Sequence, residues 1–339
     1  MHTSSISPRR RSLLATVAAL ACLGTAGHAL AQTPQTSQMA QAGAYPNKPV
    51  QLLVASAPGG GTDAIGRVLA DALTASLKQP FVVVNRAGAS GSIGSEMLVR
   101  APADGYTLLV LQNGHTVNPA TMKKLPYDTF NDFTPIATLG RSPLVLVGGA
   151  QSGVKTFKDL TELGKRTPAS MSFGSAEAST RLATEMLAGA TGLPMVPVSY
   201  KGTGPAMTDV AGGHVNFSVT TIASTLPMRG SGKVNYIAVL SPQRTPFLPE
   251  VPTLAEQGFP NIEASGWWGV LGPANMPKPL VQKLNAAIQA ALGDAEVKKR
   301  LANLSIEPWS ATPEEFDKFI RREVDLNIKL AKKAGIEPE

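Results

Sequence analysis

Cysteine occurs once in 339 residues, at Cys22, within an apolar run near the N-terminus. If that run is removed on export, no thiol remains, which excludes disulfide cross-links and thiol catalysis together. Histidine is almost as scarce: His2, His28, His115 and His214 are scattered along the chain, and the first two precede the expected cleavage point. Two separated histidines without cysteine supply neither a zinc site nor the base of a catalytic triad. No Gly-x-Ser-x-Gly elbow follows a strand, since Gly88-Ala89-Ser90-Gly91 has a different spacing. Charged residues make up only 16% of the chain, and no dense basic block is interleaved with aromatics, so nucleic acid is not an expected partner. These absences point away from an enzyme and leave binding as the function to look for.

The N-terminus indicates the compartment. Arg9, Arg10 and Arg11 precede an apolar run from Leu13 to about Gly27, followed by Ala29-Leu30-Ala31, which fits a secretory signal cut after Ala31. Arg10-Arg11-Ser12-Leu13-Leu14 also resembles a twin-arginine signal, so either the Sec or the Tat route would place the protein in the periplasm. Ala19-Leu20-Ala21-Cys22 has Ala where a lipidation site usually has Leu. Removing residues 1–31 lowers the net charge from +7 to +4, with 28 basic and 24 acidic residues left. Residues 32–44, rich in Gln, Thr, Ser and Ala, read as a disordered leader. No later run is long enough to span a membrane. With 43% hydrophobic residues, the remaining chain is long enough for two globular lobes.

The stretch from Val50 to Leu77 carries the strongest local signal. An apolar strand (Val50, Leu52, Leu53, Val54) leads into Ala57-Pro58-Gly59-Gly60-Gly61-Thr62-Asp63 and then a helix, with Ile65, Val68, Leu69, Ala72, Leu73 and Leu77 on one face. Thr62 or Asp63 can cap that helix. Glycines leave the turn's amides unshielded, so these and the helix's first N–H groups can converge on a small anion. A nucleotide reading is disfavoured: the Gly-Lys-Ser/Thr ending of a phosphate loop is missing, and the acid expected about 20 residues on is Asn85.

Further strands alternate with helices: Phe81 to Val84, Tyr106 to Leu111, Met171 to Phe173, Val196 to Tyr200, Val215 to Val219 and Ile237 to Leu240. The pattern predicts mostly parallel sheets, whose ligands bind beyond the carboxyl ends of the strands. Those ends carry Asn85 to Gly94, Gln112 to Thr116, Gly174 to Thr180, Lys201 to Pro205 and Thr220-Thr221. Leu144 to Val147 is expected to cross between lobes, and Val270-Leu271, after Trp267-Trp268, to return. The remainder predicts helices over Leu280 to Leu292, Ala295 to Leu301 and from the cap Thr312-Pro313-Glu314-Glu315 onward. The expected division is 45–143 with 267–339 as one lobe and 144–266 as the other, around a cleft that closes on a ligand. His115 is expected to be a locally bonded loop residue, and the Trp pair to pack at the hinge.

Taken together these segments resemble the tripartite tricarboxylate transporter substrate-binding family, also called the Bordetella uptake gene family of periplasmic solute receptors. The resemblance runs from Tyr45 to about Ile336. Besides the glycine turn it is carried by Tyr45-Pro46-Asn47-Lys48-Pro49, Asn85-Arg86-Ala87-Gly88-Ala89-Ser90-Gly91, Ala103-Asp104-Gly105-Tyr106-Thr107-Leu108-Leu109, Tyr200-Lys201-Gly202-Thr203-Gly204-Pro205-Ala206 and Pro249-Glu250-Val251-Pro252-Thr253. It implies an α/β, type II periplasmic-binding-protein fold, a carboxylate ligand, no cofactor and no metal. It also implies a monomer that delivers its ligand to membrane permease subunits, or alternatively signals to a membrane sensor kinase. Carried over residue by residue, the ligand site is Gly59, Gly60, Gly61, Thr62 and Asp63, with Ser92 and Asn113 beside them. Gly174, Ser175, Ala176, Thr203 and Thr220 face these from the second lobe. The chain departs from the family where an acid is often found: Val219, Thr220 and Thr221 end that strand, and Asn216 replaces a common Asp. Without an acid to meet an ammonium group, the expected ligands are purely anionic, including dicarboxylates such as terephthalate.

Overall fold

The computed structural model describes residues 45–167, 171–175, 178–200, 203–260, 262, 264–333 and 335–338. The signal, the leader and Ala176 lie outside these. The chain from Pro46 onward forms one unit. Its elements begin with β1 (Val50–Val54), α1 (Gly61–Leu77), β2 (Phe81–Asn85), α2 (Ser92–Val99), β3 (Thr107–Gln112), α3 (Gly114–Thr121) and β4 (Phe133–Gly149). There follow α4 (Phe157–Arg166), β5 (Ser172–Ser175), α5 (Ala178–Thr191), β6 (Val196–Ser199), α6 (Thr203–Gly212), β7 (Phe217–Thr221), α7 (Ile222–Thr225) and β8 (Val234–Val239). The chain ends with β9 (Ser265–Pro273), α8 (Lys278–Gly293), α9 (Ala295–Asn303), β10 (Glu307–Pro308) and α10 (Pro313–Lys333).

The strands follow the order β2-β1-β3-β9-β4-β7-β5-β6, with β8 and β10 also paired to β4. β4 joins two regions of sheet. Its residues Phe133 to Pro143 pair antiparallel with β9, and Leu144 to Gly149 pair with β7 and β8. Only the second part was expected from sequence. Pro135, Gly140 and Pro143 interrupt the apolar run of the first part, and its pairing with β9 shifts register near two of them, as proline and glycine in a strand require. At Gly140 a Cβ would lie 2.9 Å from the Glu307 carbonyl oxygen, so the approach of β10 needs a glycine there.

The return of the chain also differs from expectation. Val270 and Leu271 belong to β9, which stays between β3 and β4. The crossing occurs earlier, at Ala264, whose amide donates to Leu240 O and whose carbonyl accepts from Leu144 N–H.

Burial follows the sheet regions. Leu53, Leu109, Leu111, Trp267, Leu271 and Phe316 form the core of the first. In the second, Leu146, Phe173, Phe217 and Ile237 pack on one side, and Val145, Val147, Met207 and Val210 on the other. Thr312 caps α10 as expected: its Oγ1 accepts from Glu315 N–H, and its own N–H donates to the Glu315 carboxylate. Buried Asn327 docks that helix by donating to Thr116 O at 3.1 Å.

Candidate ligand site

β1, β2 and β3 run parallel, so Val54, Asn85 and Gln112 end side by side and carry their loops to one edge of the sheet. The glycine turn follows β1 there. Gly59 has φ +84°, which a side chain would strain, and nothing else crowds it. Gly60 is the helix cap, with extended φ −85° and ψ 171° and no side-chain cap. This corrects the expectation that Thr62 or Asp63 caps α1. Asp63 is the third helical residue, from which its carboxylate reaches back to accept from Gly59 N–H at 3.0 Å. The first intrahelical bond runs from Ala64 N–H to Gly60 O, leaving the amides of Gly61, Thr62 and Asp63 without a helical acceptor.

The polar side chains of the turn are spent on holding it. Buried Asp63 accepts from Arg67 Nε at 3.0 Å and Asn85 Nδ2 at 2.9 Å as well as from Gly59. Burial pushes its carboxyl up, but the bonds from Arg67, Gly59 and Asn85 and the guanidinium charge outweigh it, holding the group below the usual carboxylate range. Thr62, also buried, donates to Gln112 Oε1 and accepts from Trp268 Nε1 at 3.0 Å. Asn113 donates to Ser265 O and accepts from Trp267 N–H, both at 2.8 Å, tying β3 to the start of β9. The side chains of Thr62, Asp63 and Asn113, residues expected in the ligand site, are thus bonded within the scaffold, and the backbone amides of the turn are the groups left to meet an anion. Asn85, Arg67, Gln112 and Trp268 were missed as parts of this device. Asn85 stands where a dinucleotide reading wanted an acid, so its position was in view without its partner.

Ser92 is buried at the start of α2. The loop before it presses on both neighbours: Gly91 has φ +90°, and a Cβ on Gly114 would lie 2.2 Å from Ser90 O, so α3 needs a glycine at its first residue.

A second set of loops follows β5, β6 and β7, of which β5 runs parallel to both others. Gly174 O accepts from Ser218 Oγ, and Ser175 O accepts from Tyr200 N–H, both at 2.8 Å. A Cβ on Gly174 would lie 3.2 Å from the Tyr200 ring. Tyr200 donates to Asp209 at 2.7 Å, and burial with that carboxylate pushes the phenol up to about 12. Thr203 opens α6, and Thr220 Oγ1 is buried with no hydrogen-bond partner among the described residues.

His115 is buried rather than locally bonded. It stacks near Tyr127 and meets Phe133 edge-on at 4.9 Å, and neither ring nitrogen makes a hydrogen bond of good geometry among the described residues. Burial pushes the imidazole down to about 4, with slight opposition from the Thr129 backbone. A group depressed on folding disfavours protonation of the native state. Its stability is thus complete above pH 6.5 and falls as the pH drops from 6.5 toward 4, by about 3 kcal/mol. His115→Phe should flatten that limb of the urea-midpoint profile, and an unchanged slope over this window would show that the buried ring is not its source.

A cavity of about 410 Å³ lies beside α10 and α5, and among the described candidate residues only Asn113 lines it.

A family model described as the tripartite tricarboxylate transporter family receptor matches residues 65–336. The chain belongs to this receptor family. Among solved relatives, R. palustris Rpa4515 with adipate is 31% identical, with a TM-score of 0.83 over 87% of this chain and all of its own. The periplasmic binding protein BugD is 33% identical, with a TM-score of 0.80 over 87% of this chain and 100% of its own. MatC of Rhodopseudomonas palustris with bound malate is 28% identical, with a TM-score of 0.78 over 84% and 99%. The fold is accordingly that of the periplasmic binding proteins, and receptors of this family bind solutes in the periplasm. Among the described residues no helix is long and apolar enough to cross a membrane.

Proposed function

We propose that this receptor captures a small dicarboxylate between two lobes, 45–143 with 267–339 and 144–266, and presents it to the membrane subunits of a tripartite transporter without altering it chemically. The observation that carries this reading is the start of α1. The amides of Gly61, Thr62 and Asp63 have no helical acceptor and can meet an anion, while the surrounding polar side chains are consumed in fixing the turn. One carboxylate binds there. The other is taken up by the loops after β5, β6 and β7, where Ser175, Thr203 and Thr220 supply hydroxyls and no acid stands between Phe217 and Thr221 to attract an ammonium. Two family members hold adipate and malate, both dicarboxylates, which supports the class. An aromatic diacid such as terephthalate belongs to the same class.

Calorimetric titration of adipate, its monomethyl ester and 6-aminohexanoate tests this. Loss of one carboxylate should cost about 2 kcal/mol, roughly thirtyfold in affinity, because donors in the closed cleft are left unpaired. Equal affinities would mean that the second lobe reads no carboxylate.

A further inference from the structure

The cavity of about 410 Å³ is not built from the glycine turn. Its walls come from α3 and α10 on one side and α5 on the other, near the crossing of β4 and β9. None of Gly59 to Asp63, Ser92, Gly174, Ser175, Thr203 or Thr220 lines it, and the Asn113 side chain that does is already bonded to Ser265 and Trp267. Most of the wall is apolar, with Met186, Trp309, Phe319 and Leu326 among its residues, and a space of this size and lining suits a small amphipathic molecule.

Two arginines, Arg141 and Arg322, also line it, and among the described residues Glu323 is the one acid beside them. Arg141 is held only loosely, 3.8 Å from Glu307, and the Arg322 guanidinium lies 5.5 Å from the centre of the Phe319 ring. From the apolar wall and the two arginines beside it, we propose that this cavity is a second binding site, for a monocarboxylate with an apolar body, separate from the glycine turn. Burial raises the Glu323 carboxyl above its usual range although Arg322 opposes this, so this acid is the less able to repel an anion.

Octanoate is a suitable probe, and Trp267 and Trp309 in the wall make intrinsic fluorescence a local reporter beside calorimetry. Saturable one-to-one binding is expected. It should weaken about tenfold in Arg322→Gln, an exposed position that should leave the fold intact, and about tenfold for 1-octanol in place of octanoate. Met186→Trp, which fills the cavity, should abolish binding. Gly60→Val should leave it unchanged while dicarboxylate binding is lost, which separates this site from the one proposed above. No saturation at about 10 mM octanoate would overturn the proposal. So would octanoate binding that survives both Arg322→Gln and Met186→Trp, or that disappears in Gly60→Val.

Discussion

Gly60→Val should lower dicarboxylate affinity by about a hundredfold or more, near 3 kcal/mol, while changing stability by at most about 1 kcal/mol. The asymmetry follows from the local geometry. Gly60 occupies ordinary extended backbone, and the nearest atom to a Cβ placed there is Ala57 O at 3.7 Å, an ordinary contact. The protein itself can therefore accept a side chain at this position, with only the weaker capping of valine against it. The branched methyls would instead occupy space in front of the amides of Gly61 and Thr62, where a carboxylate must sit. Gly59→Val differs, because φ +84° is hostile to a branched residue and the Gly59 N–H is bonded to Asp63, so fold and binding should fail together. Calorimetry and urea unfolding of the two variants separate the cases. Full affinity in Gly60→Val would mean that the turn is structural and the anion binds elsewhere.

Much of the fold could be read from periodicity. Helical and strand patterns alternate along the chain, and β1, β2, β3, β5 and β6 lie within a residue or two of their expected places. The first part of β4 escaped because its prolines and glycine break the apolar pattern near its register shifts against β9, and no local signal reveals a partner more than 100 residues away. α3 escaped for a related reason. Gly114 to Thr121 contains Pro119 and little apolar periodicity, and its burial comes from contact with α10, through Asn327, rather than from its own sequence.

The site shows the same division between type and use. Sequence indicates which segments reach the binding edge, because that depends on strand order and glycine spacing. It does not indicate whether a polar side chain there faces a ligand or the scaffold. Thr62 and Asn113 carry donors that could meet a carboxylate and Asp63 an acceptor that could meet a ligand hydroxyl, and here they are bonded to Gln112 and Trp268, to Ser265 and Trp267, and to Gly59, Arg67 and Asn85 respectively. Those partners are distant in sequence for all but Gly59 and Arg67, so only folding shows that the side chains are already taken. The scaffold role accounts for the residue types as well as a ligand role would.

Asp63→Ala should therefore destabilise the protein by about 3 kcal/mol, with ligand affinity lost along with stability. Its carboxylate is buried and accepts three bonds, and removal leaves the Gly59 amide without its acceptor and Asn85 with one of its two, Ser56 O. Arg67 contributes the least to that sum, because its side chain is about half exposed (53%) and solvent screens the pair. Asp63→Asn is not a mild substitute. Donors approach both oxygens, so an amide nitrogen must face one of them, and about 2 kcal/mol should still be lost. The carboxyl also has a pH signature. Its folded pKa lies below that of the unfolded chain, so its contribution is complete above about pH 4 and is lost as the pH falls through the folded value. Wild type should lose this stability in strongly acidic solution, below the window in which His115 acts, and Asp63→Ala should lack that limb. Urea unfolding at pH 7 and pH 3 measures both effects. If Asp63→Ala is as stable as wild type at pH 7, the carboxylate does not hold the turn and is free to meet a ligand group instead.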